Sequence, residues 1–99
     1  MRRGTTPRHT FTTDVDLTGA EVLYVTYKQG KETILEKEIR DVHITPDTVE
    51  FALTQEETLA FQECTRVNIQ IRVRFPDGTA IASNIIDASA EKILKEGVI

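Results

Sequence analysis

The chain has 99 residues, 39% of them hydrophobic and 28% charged, the make-up of one soluble domain large enough to build a core without disulfides or a metal. Twelve basic residues against sixteen acidic ones leave a formal charge of −4, which argues against a phosphate-rich partner such as nucleic acid. A single cysteine, Cys64, rules out an internal disulfide, and no apolar run approaches the ~18 residues of a membrane helix.

Residues 1–8 are polar, with three arginines, Gly4 and Pro7, and read as a flexible N-terminal arm. The arm is either a frayed end or a basic tether for an acidic neighbouring subunit. Met1-Arg2-Arg3 is not followed by the apolar stretch of a signal peptide, so the chain is expected to be made in the cytoplasm and to bypass general export. Residues 9–99 form the single domain.

His9 to Leu17 is threonine-rich, with Phe11, Val15 and Leu17 at odd positions, and predicts an edge strand that ends at the Thr18-Gly19 turn. Glu21 to Lys28 is strongly β-prone and apolar on both faces. Leu23, Val25 and Tyr27 lie on one side, Val22 and Tyr24 on the other. A strand wet on one face does not need the second set, so its outer face is either covered or meets another chain. Gln29-Gly30-Lys31 closes a hairpin onto Thr33–Ile39, a charged edge strand. After a connection over Asp41–Asp47, Thr48–Thr54 alternates again, with Val49, Phe51 and Leu53 inward.

Thr54-Gln55-Glu56-Glu57 has the spacing of a capping box and predicts a short helix reaching Phe61, with Leu59 and Phe61 closing one end of the core. Val67, Ile69, Ile71, Val73 and Phe75 then alternate with Asn68, Gln70, Arg72 and Arg74, which describes a strand with one dry and one wet face. Pro76-Asp77-Gly78 turns the chain back through Ala80 to Ile86. Ser89–Glu96 predicts one or two helical turns, with Glu91 and Lys95 four apart and Gly97 as the stop. The pattern is all-β: an antiparallel, immunoglobulin-like β-sandwich of about 6–8 strands with one short helix between strands and a helical turn near the C-terminus.

The residues offer no reaction. His9 and His43 stand far apart, and no cluster has metal-ligand spacing. Asp14 and Asp16 share a strand face about 7 Å apart, without the oxygen-rich loop of a calcium site. Ser83 lacks the Gly-x-Ser-x-Gly elbow, and Gly30 and Gly78 belong to turns rather than to a phosphate loop. No catalytic, cofactor-binding or metal residue is assigned. The wet face of the main strand is more informative. Arg66, Arg72 and Arg74 form a cationic stripe in an acidic protein, and arginine is enriched at interface hot spots. Together with the surplus apolar face, the stripe makes Val22, Tyr24, Arg72 and Arg74 the candidate partner interface.

Three further stretches carry a resemblance: Asp16-Leu17-Thr18-Gly19-Ala20, Leu53-Thr54-Gln55-Glu56-Glu57-Thr58, and Asp77-Gly78-Thr79 with the strand through Ile81-Ala82-Ser83. In this order they are similar to the N-terminal β-sandwich domain of upper baseplate proteins in tailed phages of Gram-positive bacteria. With Arg3-Gly4-Thr5-Thr6-Pro7 at the start, the chain resembles small prophage-encoded proteins of this kind. The resemblance implies a non-enzymatic phage or prophage structural protein, a tail- or baseplate-associated interaction module. It further implies tail or baseplate proteins as partners, homo-oligomerisation, and residence in the virion if the chain is a mature tail component. The rival reading is a small carbohydrate-binding sandwich that stacks cell-surface glycans on Tyr24 or Tyr27.

Overall fold

In the computed structural model, which describes residues 1–99, eight strands form two antiparallel sheets packed face to face. The smaller sheet joins β1 (Arg8–Thr12), β5 (Thr48–Ala52) and β4 (His43–Ile44) in the order β1-β5-β4. The larger has the order β3-β2-β6-β7, with β8 also paired to β6; these are β2 (Val22–Gln29), β3 (Glu32–Glu38), β6 (Thr65–Arg74), β7 (Ala80–Ala82) and β8 (Ile86–Ala90). A 3-10 turn at Ile39–Asp41 and the helix α1 (Gln55–Leu59) carry the chain from one sheet to the other.

Alternation works as expected in the two central strands. Leu23, Val25 and Tyr27 of β2 and Val67, Ile69, Ile71 and Val73 of β6 are buried against Val49 and Phe51 of β5. Leu53, Phe61 and Leu17 complete the core, and the rings of Tyr27, Phe51 and Phe61 meet edge to face. The capping box also forms. Thr54 accepts from the Glu57 backbone N–H, and the Glu57 carboxylate accepts from the Thr54 N–H.

Two bulges adjust the register. Ile34 is inserted between the pairs Tyr27–Leu35 and Lys28–Thr33, so two successive apolar residues of an edge strand, Ile34 and Leu35, both lean on the core. The same strand turns Lys37 inward to the Glu57 carboxylate, 2.5 Å away. A charge aimed inward on an edge strand discourages a further strand from pairing there.

The second bulge breaks the return strand of the Pro76-Asp77-Gly78 hairpin. Ala82 pairs with Arg72 and Ile86 with Ile69, so Ser83, Asn84 and Ile85 stand against two residues of β6. The Ser83 hydroxyl accepts from the Ile71 N–H at 3.0 Å, its own N–H reaches the Ile71 carbonyl, and its carbonyl accepts from Gln70. The extra residue lets Ile81 and Ile86, five apart, point to the same face, and turns Ile85 out to 63% exposure.

The helical turn expected over Ser89–Glu96 does not form. Residues 86–90 are strand β8, paired with Thr65–Ile69, because Ala88 and Ala90 are small enough to lie on the inner face beside Val67. The segment 1–8, read as a flexible arm, is tied to the body by hydrogen bonds. The Met1 ammonium donates to the Ser89 carbonyl, and Arg2 bridges to Glu91 in parallel. The Arg3 guanidinium donates to the carbonyls of Leu59 and Phe61, which the short helix leaves without partners. Thr58, fully buried, both accepts from the Thr5 N–H and donates to a carbonyl, the nearest being that of Thr5. Gln29 makes a similar clasp, its amide pairing with both backbone groups of Gln62.

Candidate interaction surface

The outer face of the larger sheet gathers the four residues singled out in the sequence. Tyr24 stands opposite Arg72, and Val22 stands opposite Arg74, in adjacent outward pairs of β2 and β6. Tyr24 is 38% exposed, whereas Tyr27, on the opposite face of the same strand, is fully buried. Arg66 and Arg72 have no carboxylate within ion-pair distance, and Arg74 has only Glu21, 3.9 Å away. The guanidiniums of Arg66 and Arg72 are therefore unspent by the fold.

On the other side of β2 the outward residues are acidic. Glu38 is the cross-strand neighbour of Tyr24, and Glu36 that of Thr26, whose hydroxyl donates to it at 3.3 Å. Across three strands the face thus runs acid, aromatic, base. The register makes this order, and the only sequence signal for it was the alternation of Glu36 and Glu38 within a charged strand.

An apolar concavity lies between the edge strand β1 and the broken strand β7–β8. It encloses about 880 Å³ and is lined by Phe11, Val15, Ile71, Val73, Ile81 and Ile86 among others. Ser83 and Asn84 of the bulge also line it.

Titratable groups in the interior serve the fold. His9 stacks on Tyr27 at 5.8 Å between ring centres, with Nδ1 2.5 Å from the phenol oxygen. Burial, then the nearby Met1 ammonium, holds the imidazole below its ordinary pKa. Burial, then the Glu57 charge, pushes the Tyr27 phenol well above its own. With the ring neutral and the phenol protonated, the two groups share one hydrogen bond whose direction is set by the imidazole tautomer. For Glu57, burial opposes the charge, but the bonds from Lys37 and Thr54 outweigh it and keep the carboxyl below the usual range. Asp16 and Asp77 are held low by hydrogen bonds from Thr18 and Thr79 in their turns. Ser83 Oγ is committed to Ile71 and Asn84, and no three His, Cys, Asp or Glu side chains converge as metal ligands. No helix is long and apolar enough to cross a membrane.

Compared with protein-family models, with curated proteins and with solved structures, the chain matches none.

Proposed function

We propose that this chain is a non-enzymatic interaction module of a phage or prophage tail, associated with the baseplate, that acts by packing the outer face of its larger sheet against protein. The observation that carries the contact is the clustering of Val22, Tyr24, Arg72 and Arg74 as adjacent cross-strand pairs, with Arg72 unpaired in the monomer. A tyrosine beside an unpaired guanidinium is the composition of an interface hot spot rather than of a solvated sheet face. The assignment to a tail rests on the sequence resemblance. Quantitative mass spectrometry of purified, induced phage particles tests it. The chain should be present in fixed ratio to the tail proteins, and its absence from particles, together with failure to bind any isolated tail or baseplate protein, overturns the reading.

The glycan-binding alternative loses ground on one point. Sugar-stacking sites use exposed rings, and of the two tyrosines only Tyr24 is exposed.

A further inference from the structure

The order of charges across the outer face of the larger sheet is that of a surface able to bind itself. The geometry points to a second copy of this chain as the occupant, packed face to face about a two-fold axis that lies in the interface and runs parallel to β2. The inference deepens the interaction reading above, on whose surface it rests.

The reasoning follows from symmetry. Rotation about an axis along β2 leaves height along the strand unchanged and exchanges left for right. Tyr24 has Glu38 on one side and Arg72 on the other. The rotation therefore sets Glu38 of one copy over Arg72 of the second, twice, with Tyr24 against Tyr24 between them. In the neighbouring row it sets Glu36 over Gln70, an acceptor over an amide donor. A two-fold axis across the strands does the opposite. It stacks β3 on β3 and β6 on β6, acid on acid and base on base, a like-charge arrangement that costs several kcal/mol. Of these two axes, only the one along β2 brings Glu38 to Arg72.

Other groups on the face are compatible with that axis. Arg40, which bonds Glu38 at 3.1 Å and is 80% exposed, lies in the 3-10 turn beyond the end of β3 and gives way or shares the carboxylate. Arg74 keeps Glu21. Lys28 lies on the axis strand and meets its own copy, one like-charge contact that its long exposed side chain relieves by turning aside to solvent.

The overlap of three strands over about six residues covers on the order of 400 Å² per copy at ~3.3 Å per residue and ~4.8 Å per strand, once side-chain relief is included. That is below the standard interface, so the dimer is weak and forms in the range of roughly 10 μM to 1 mM.

Sedimentation equilibrium across that range tests the proposal with the full chain. The wild type should dimerise, and less so in high salt. Arg72→Glu and Glu38→Arg should each weaken association at least about tenfold, by placing like charges in contact twice. Mixing the two variants is the decisive arm. The mixed pair restores both contacts, Glu38 with Arg72 and the introduced Glu with the introduced Arg, so the mixture should associate about as well as the wild type. A folding defect in either variant cannot produce that rescue, and a circular dichroism spectrum checks both monomers. A wild type that stays monomeric to about 1 mM, or a mixture that remains as weak as its components, overturns the dimer. The particle measurement is unaffected by that outcome, so the two readings fail separately.

Discussion

Replacing Thr58 by valine removes one hydroxyl from a fully buried site while preserving the shape of the side chain. In the folded chain that oxygen accepts from the Thr5 N–H at 3.2 Å and has the Thr5 carbonyl 2.9 Å away. Valine leaves both backbone groups facing a methyl. The lost bond contributes about 1 kcal/mol and the stranded amide a further ~1, so the expected destabilisation is about 2 kcal/mol. For a domain of this size that lowers Tm by roughly 10 °C and shifts a urea midpoint by about 1.5 M. Thr58→Ser is the control, since it keeps the hydroxyl and loses one methyl, worth about 0.8 kcal/mol. The expected order of stability is threonine, serine, valine. Urea unfolding followed by circular dichroism gives the order, and amide exchange at Thr5 should quicken in the valine variant alone. If valine proves as stable as threonine or more so, the clasp contributes nothing and the position is a plain hydrophobic contact.

Three more outcomes follow from other sites. His9 has a folded pKa below its unfolded value of about 6.5, so between the two the unfolded chain binds the extra proton and stability falls as pH is lowered through that window. A ring-proton NMR titration should give a midpoint for His9 below 6.5, and a midpoint above it would contradict the buried neutral ring. Cys64 adopts φ 57° and is exposed, so Cys64→Gly should raise stability by up to about 1 kcal/mol in thermal unfolding, and a loss would mean that the strain is absent. Gly4 has φ +69° and an added Cβ would sit 2.7 Å from Ile93 Cδ1. Gly4→Ala should therefore cost about 1 kcal/mol or more in the same assay and loosen the amides of residues 1–5, and neutrality would mean that the segment is not held where it lies.

What could be read from the sequence was what depends on near neighbours. Alternation from Val67 to Phe75, the turn at Pro76-Asp77-Gly78 and the capping box at Thr54–Glu57 are each set by residues within a few positions, and each forms. The candidate face was legible for the same reason, because alternation alone places Tyr24 and Arg72 outward. Its acidic border was not, since it needs the pairing of β2 with β3. The end of the chain misled because Glu91 and Lys95 look helical in isolation, whereas Ala88 and Ala90 find a place against β6 only when the sheet exists. The Ser83 bulge and the apolar groove beside it likewise depend on register, which no local pattern announces.

The fastening of residues 1–7 also bears on the order in which the molecule is assembled. Met1 bonds Ser89, Arg2 bonds Lys92 and Arg3 bonds Glu96, separations of 88, 90 and 93 residues. Met1 and Arg2 have these partners only once the last strand is made, whereas Arg3, Thr5 and Pro7 can already engage Leu59, Phe61, Thr58 and Leu53. Until β8 is added, the edge of β6 that takes it stays open. Pairing of β8 is thus a late event that also fixes Met1 and Arg2, and a nascent chain stalled before residue 86 would present an unpaired strand edge to its neighbours.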